Sequence, residues 1–310
     1  MAAEVTRVCV AGAGSIGGLL AGHLALVTEV SVLTRRADHA RALEQDGLRV
    51  SGRSDFVAHV AASDDPSALP PADLVILACK GTDLESLARR IEGHFEGATV
   101  MTVQNGLGAE DVVAAHGHWP LLSSVTFMSG TRHSDTHVEY VLDTATWIGP
   151  FRETTGDDAR AVAALIESSG LKAVGFDDLR PAQWSKLIFN ATVNGVAALT
   201  ELPHDFHFAQ VEHDGDLGLL VRDLVEEGKA TASAAGIELD EDPWEMNVLA
   251  TQRGHRHYPS MLEDVEAHRP TEIESINGSL VRAARRHGVP VPLHTAVYRL
   301  VKAKEASYTQ

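Results

Sequence analysis

Three side chains in the mostly apolar stretch Trp184 to Leu199, one ammonium and two amides, stand at a spacing that can do chemistry: Lys186, Asn190 and Asn194. In a helix, positions i, i+4 and i+8 stay within about 80° of one another, so one ammonium and two amides line a single face. Leu187, Ile188, Phe189, Val193, Val196 and Ala197 surround that line, which predicts a helix buried on most sides. A buried ammonium and buried amides need hydrogen-bond partners or a ligand. Neighbouring helices would satisfy them as well as a substrate would, and the stretch alone does not choose.

A second chemical signal lies near the N-terminus. Arg7 to Ala11 is a short apolar run suited to a buried strand, and it is followed at once by Gly12-Ala13-Gly14-Ser15-Ile16-Gly17 and a helical pattern through Leu26. A G-x-G-x-x-G between strand and helix permits a tight turn, close approach of backbone to a pyrophosphate, and phosphate binding by the N–H groups of a helix N-terminus. The hexapeptide alone is weak; its context favours a dinucleotide site over a plain glycine turn. The next strand, Glu29 to Leu33, ends where an NAD-binding fold places an acid for the ribose hydroxyls, but the residues are Thr34-Arg35-Arg36. A guanidinium can hold a 2′-phosphate bidentately, so the pattern leans towards NADP, against a reading of two solvated arginines beside Asp38.

The elements that must carry these residues alternate between strand and helix. Leu48 to Val50, Phe56 to Val60, Asp73 to Cys79 and Ala98 to Val103 read as strands, with a helix from Leu84 to Ile91. Gly12, Arg35, Lys80 and Asn105 then fall beyond the carboxyl ends of strands, the edge at which open α/β sheets bind ligands. From Leu121 to Gly149 the pattern is strand and turn, expected to finish the same sheet with some antiparallel pairing. A helix from Gly156 to Ser168 and a strand at Ala173 to Phe176 close the first domain. Beyond Asp177 the sequence shows no strand pattern, which predicts an α/β fold of two parts: a Rossmann-type dinucleotide-binding domain over 1–177 and an all-helical domain over 178–310.

In the helical half, Leu217 to Ala235 reads as a long amphipathic helix, and Asp240-Glu241-Asp242-Pro243 as a solvated acidic turn. Thr271 and Glu274 have capping-box spacing ahead of Ile273, Ile276 and Leu280, which sets Glu272 in the first turn of a helix and explains its carboxylate structurally. The sixteen histidines include His204-Asp205-Phe206-His207 and His255-Arg256-His257, neither with a zinc-protease or zinc-finger spacing, and no metal site is expected. Cys9 and Cys79 both read as buried free thiols.

Composition bounds the function. Among 310 residues the formal net charge is -17 with no basic block, which argues against nucleic acid and anionic membranes as partners. No apolar run approaches the roughly 20 residues of a membrane span, and Met1 leads straight into a strand-like segment, so the expectation is a cytoplasmic protein without a signal peptide.

Taken together, GAGSIG, Lys80, Gln104-Asn105-Gly106, the W-x-K-L-x-x-N-x-x-x-N helix and the S-M-L-x-D-V-x-x-x-R-x-T-E-I-x-x-I-N-G block resemble the ketopantoate reductase family. The similarity runs over nearly the whole chain, through the ending His287-Gly288-Val289-Pro290-Val291-Pro292. The resemblance implies a Rossmann domain that binds NADPH, a helical second domain, and reduction of a 2-oxo acid to a 2-hydroxy acid in a cleft between them. By the same resemblance Lys186 is the general acid and Glu272 the second catalytic group. Asn190 and Asn194 hold the substrate's hydroxyl end and Ser260 its carboxylate. Asn105 lies near the nicotinamide and substrate, Lys80 contributes at the closing cleft, and Arg35 meets the 2′-phosphate.

The chemistry is coherent with that assignment. Hydride delivery to a ketone builds charge on oxygen, which needs a proton donor within about 2.6–3.2 Å. Desolvation lowers a lysine's pKa and a nearby carboxylate opposes the shift, and the sequence does not say which prevails. The acidic surface would steer anionic ligands away at long range, but screening acts within about 8 Å and leaves Arg35, Lys80 and Lys186 to act locally.

One segment departs from the family pattern: Glu139 to Ala145 stands where a glycine-rich turn is usual before Ile148-Gly149. It keeps open a different branched or bulky 2-oxo acid as substrate. A non-catalytic NADP sensor is a third reading, disfavoured because Lys186, Glu272, Asn190, Asn194 and Ser260 occur together. A homodimer is the expected assembly.

Overall fold

A computed structural model describes residues 5–212, 215–252 and 258–309, and the chain divides into two compact units. The first is Met1–Gln104 with Ala109–Leu179; the second is Arg180–Gln310 together with the short segment Asn105–Gly108.

In chain order the first unit comprises β1 (Arg7–Ala11), α1 (Ser15–Leu24), β2 (Glu29–Leu33), α2 (Ala37–Asp46), β3 (Leu48–Gly52), β4 (Phe56–Ala58), β5 (Ala61–Ser63), β6 (Leu74–Leu77), α3 (Leu84–Arg90), β7 (Thr99–Thr102), α4 (Ala109–Ala114), β8 (Leu121–Thr126), β9 (Ser129–Ser134), β10 (His137–Leu142), β11 (Thr146–Arg152), α5 (Gly156–Ser168) and β12 (Ala173–Gly175). The main sheet runs β12-β11-β8-β7-β6-β1-β2-β5. The six strands from β8 to β5 are parallel, in the 3-2-1-4-5-6 order of a dinucleotide-binding fold. Strand β11 is antiparallel to β8, and β12 is parallel to β11. Every residue of β6, Leu-Val-Ile-Leu, is buried, as a strand covered on both faces requires.

The expectation that the segment 121–149 finishes one sheet is corrected here. Strands β9 and β10 leave the main sheet and join β3 and β4 in a second one, ordered β4-β3-β10-β9. The cause lies in two patterns. Val138 and Tyr140 alternate inward from β10, as Leu48 and Val50 do from β3. On α1, Gly14, Gly18 and Gly22 recur every four residues, and a Cβ at Gly18 or Gly22 would stand 2.7 Å from Val138 or 2.6 Å from Val50. The helix therefore packs small-side-first against the second sheet, and Gly17 to Leu24 are all buried. Strand β9, Ser-Gly-Thr-Arg-His-Ser, carries no apolar alternation, so periodicity did not reveal it. The atypical segment 139–145 ends β10 and ties itself down: Tyr140 Oη donates to Asp143 Oδ1 at 2.8 Å, and Asp143 pairs with Lys172 at 2.8 Å.

The second unit is helical: α6 (Arg180–Thr200), α7 (Asp216–Ala234), α8 (Pro243–Thr251), α9 (Ser260–Glu266), α10 (Asn277–Arg286) and α11 (Pro292–Ala306). Helix α6 touches each of the other five, and Trp184 to Ile188 and Asn190 to Ala198 are all buried. Glycines set two of the crossings: a Cβ at Gly228 would lie 2.6 Å from Ile188, and one at Gly195 would lie 2.4 Å from Val297. No strand occurs beyond Gly175 among the described residues, and no helix among them is long and apolar enough to cross a membrane.

Three local expectations differ from the structure. The capping box at Thr271 does not form. Its N–H and Oγ1 both donate to Glu305 Oε1 at 2.7 Å, and Glu274 instead accepts from Arg282 and Tyr298. Helix α10 accordingly begins only at Asn277, and Glu272 stands in the turn before it. The acidic turn at 240–243 is more than a solvated loop. Asp242 caps α8 by accepting from Trp244 N at 2.8 Å, and it pairs with Lys229 at 2.8 Å. Of the two free cysteines, Cys9 is buried and Cys79 only half-buried.

Candidate functional site

In the first unit, the site is built around the turn that follows β1. Gly12 has φ +105°, and a Cβ there would sit 3.0 Å from Ala78 C and Cys79 N, so the turn lies against the end of β6. At Gly17 a Cβ would meet the Gly12 carbonyl oxygen at 1.8 Å, which locks the helix start onto the turn. A Cβ at Gly14 would meet nothing within 4 Å. Gly14 is the N-cap of α1, with no side chain capping the first turn and no acid in it. Open space at Gly14, where the uncapped N–H groups of Ser15, Ile16 and Gly17 begin the helix, is what a pyrophosphate needs, so the turn fits a dinucleotide. Between β1 and β6 the strand order reverses direction, which is the crevice where such folds bind their ligands.

Gln104 braces the neighbouring strand end. Its Nε2 donates to Leu77 O at 2.7 Å and to Cys79 O at 3.0 Å. Lys80 follows, exposed, at the start of the short turn Gly81–Asp83. Of the two arginines after β2, Arg36 is committed to Asp135 and Asp38. Arg35 projects with 80% of its side chain exposed, 3.6 Å from Asp83. The two residues that sequence treats alike therefore differ, and Arg35 is the one available to a ligand.

In the second unit, Lys186, Asn105, Glu272 and Asn190 come together. Lys186 Nζ donates to Asn105 Oδ1 at 2.9 Å, and Asn105 Nδ2 donates to Glu272 Oε2 at 3.0 Å. Asn190 Nδ2 lies 3.5 Å from the same Asn105 Oδ1. The Asn105 amide can face only one way, its oxygen towards the ammonium and its nitrogen towards the carboxylate. Gly106 makes the approach feasible: its φ is +96°, a Cβ there would meet Ser275 O at 1.9 Å, and Leu107 N donates to that oxygen at 3.2 Å. Sequence pattern groups Asn105 with the sheet edge; the chain instead packs it with the helical unit.

Burial lowers the Lys186 pKa from 10.5 to about 8, and the Glu272 carboxylate pulls the other way without prevailing. The question that sequence left open is thereby answered in favour of desolvation. A lysine poised near 8 holds its proton at neutral pH and releases it readily, which suits a general acid.

Asn194 is buried two turns along α6, and its Oδ1 accepts from Met261 N at 3.2 Å. This bond ties the start of α9, where the exposed Ser260 stands, to the helix that carries Lys186. Sequence reasoning assigned Asn194 to a ligand and did not foresee this second task. It also missed Glu227 of α7, which accepts from Leu293 N and His294 N at 2.9 and 3.0 Å and so caps α11. Among the described residues there is no cluster of three or more His, Cys, Asp or Glu suited to a metal. His204 is buried on Asn247 Oδ1 at 2.8 Å, and His255-Arg256-His257 lies outside the described residues.

Comparison with known proteins agrees over both units. Residues 8–153 match the family described as ketopantoate reductase PanE/ApbA, and residues 178–305 match its C-terminal part. A 2-dehydropantoate 2-reductase of Halobacterium salinarum is 31% identical over 300 residues, covering 96% of this chain and 98% of its own. One from Pyrococcus horikoshii is 28% identical, with 97% and 98% covered. Among solved structures, a PanE/ApbA family ketopantoate reductase from Ralstonia eutropha superposes with a TM-score of 0.87 at 29% identity, covering 98% of this chain and all of that one. D-mandelate dehydrogenase with NADH and anilino(oxo)acetate superposes at 0.89 but is only 23% identical over 98% of this chain and all of that one, a likeness of fold alone.

Proposed function

This chain belongs to the ketopantoate reductase family of oxidoreductases, and from that premise we propose that it reduces 2-dehydropantoate (ketopantoate) to pantoate with NADPH, in the route to pantothenate and coenzyme A. The observation that carries this reading is the hydrogen-bonded chain from the buried Lys186 through the half-buried Asn105 to the half-buried Glu272, with its ammonium held near pKa 8.

When bound, NADPH supplies the hydride that adds to the ketone carbon. The residues of the chain do the rest. The N–H groups of Ser15, Ile16 and Gly17 at the glycine turn would hold the pyrophosphate, Arg35 would hold the 2′-phosphate, and Lys80 adds positive charge at the end of β6. As negative charge grows on the carbonyl oxygen, Lys186 Nζ gives it a proton, and the amine is reprotonated from solvent before the next turnover. Asn105 fixes the ammonium's direction, and Glu272 helps bind and orient the reacting oxygen through that amide. Asn190 and the Nδ2 of Asn194 bind the substrate's hydroxyl end, and Ser260 its carboxylate. The protein acts as a homodimer in the cytoplasm on this reading, with light scattering as the check on its assembly.

A second reading keeps the mechanism and changes the substrate to another 2-oxo acid. It is favoured by the segment Glu139 to Ala145, which departs from the family pattern. The deciding experiment is NADPH oxidation, followed by absorbance, with ketopantoate and a panel of 2-oxo acids, and with NADH as competing cofactor. Highest kcat/KM with ketopantoate and NADPH is the expected outcome. Activity confined to another 2-oxo acid overturns the substrate, and NADPH binding without any turnover overturns catalysis in favour of a sensor.

A further inference from the structure

The side chain of Arg90, on α3, reaches across the carboxyl edge of the main sheet. Its Nη2 donates to Thr34 O at 2.7 Å and, in a second and shorter contact, to Asp64 O. Thr34 is the residue that ends β2 and immediately precedes Arg35, and Asp64 follows β5, the strand paired with β2. Two carbonyl oxygens converging on one point repel unless a donor stands between them, and a guanidinium is a strong donor for that place. The Thr34 hydroxyl completes the brace by donating to Arg36 O at 2.8 Å.

The same edge shows why a brace matters. Arg36 is neutralised by Asp135 and Asp38, so it adds little attraction for an anion. Among the described residues, the ion pair that Arg35 makes is a 3.6 Å pairing with Asp83, itself half-exposed. An exposed arginine on an unsupported turn spreads over many conformations, and ordering it on a ligand costs rotamer entropy. A turn pinned from below limits that spread and keeps the side chain aimed at one site.

We propose that Arg90 is a specificity-determining positioning residue for the dinucleotide: by pinning Thr34 O to Asp64 O it fixes the turn from which Arg35 reaches a 2′-phosphate, and its charge adds to the attraction there. This inference rests on the NADPH reading above.

The test compares Arg90→Gln, Arg90→Lys and Arg35→Ala for kcat and KM with NADPH and with NADH. Binding of 2′,5′-ADP and of 5′-AMP is measured alongside on the folded variants, so that a loss of turnover alone does not decide. The expected result is that Arg90→Gln raises KM for NADPH about tenfold, leaves KM for NADH and kcat at saturation within twofold, and weakens 2′,5′-ADP but not 5′-AMP. Arg90→Lys, which can still donate to both carbonyls, recovers most of the loss. Equal losses for both cofactors, or for both nucleotides, would overturn the proposal, because a merely structural brace acts on both alike. If Arg35→Ala abolishes the NADPH preference and Arg90→Gln does not, only the role of Arg90 falls. If Arg35→Ala itself leaves the preference intact, the 2′-phosphate assignment falls and the inference with it.

Discussion

Lys186 Nζ stands 2.9 Å from Asn105 Oδ1, an ammonium on the central helix of the helical unit meeting an amide of the short segment Asn105–Gly108 that belongs to the same unit. The burial that lowers its pKa from 10.5 to about 8 is a penalty on the charged form. Activity and stability should therefore respond to Lys186→Met in opposite senses. Turnover should fall by about 10²–10⁴, the usual contribution of a positioned acid, with NADPH binding retained. Because the folded pKa lies below the unfolded one, the penalty is complete below pH 8 and is relieved as pH rises from about 8 to 10.5. At neutral pH it amounts to about 3 kcal/mol, at roughly 1.4 kcal/mol per unit, so the variant should melt higher. Denaturant titration at pH 7 and pH 10 checks the sign: a gain in stability that is not larger at pH 7 contradicts the desolvation account.

The pH profile of reduction follows from the same residue. A proton donor with pKa about 8 is mostly charged at neutral pH, so kcat/KM should be nearly level below 7 and fall about tenfold per unit well above 8. Glu272 raises the lysine's pKa, so Glu272→Gln should move the break to lower pH as well as lowering the rate. A break that stays in place, or moves to higher pH, would detach the profile from this pair.

Much of the fold was legible because its signals are local. The strand β1, the turn Gly12 to Gly17 and the helix α1 are adjacent in sequence, and the Lys186, Asn190, Asn194 line follows from a single helical period. What escaped was set by partners distant in sequence. Glu305 takes both donors of Thr271 from 34 residues away and so delays α10 until Asn277. Val138 and Tyr140 carry a strand's alternation, but nothing local says that β3, about ninety residues earlier, is their partner. The commitment of Arg36 to Asp135, across 99 residues, and the bond from Asn194 to Met261, across 67, are of the same kind.

The glycine turn separates a binding role from a folding role. At Gly14 an added methyl group meets nothing within 4 Å, and its φ of -79° is open to alanine, so Gly14→Ala should leave thermal stability unchanged. If a pyrophosphate rests on that turn, the same methyl group fills the space it needs, and dinucleotide affinity should drop by tenfold or more. Gly12→Ala differs in kind: φ is +105° and backbone atoms stand 3.0 Å away, so stability and affinity should fall together. Melting curves and fluorescence titration with NADPH measure both, and full affinity in Gly14→Ala would remove the pyrophosphate from this turn.

Asn194 offers the sharpest separation of scaffold from substrate, because its two amide atoms have different duties. Oδ1 accepts from Met261 N and so anchors the start of α9 beside Ser260. Asn194→Asp keeps an acceptor for that N–H, but it removes the Nδ2 donor and adds a negative charge facing an anionic 2-oxo acid. It should preserve melting temperature and NADPH binding while raising the substrate KM by tenfold or more. Asn194→Leu removes the acceptor too, leaving the Met261 N–H buried without its partner, at a cost of about 1–3 kcal/mol. It should therefore lose stability as well as affinity. Were Asn194→Asp to bind and turn over the 2-oxo acid normally, the residue would be a helix anchor alone, and the hydroxyl end of the substrate would rest on Asn190.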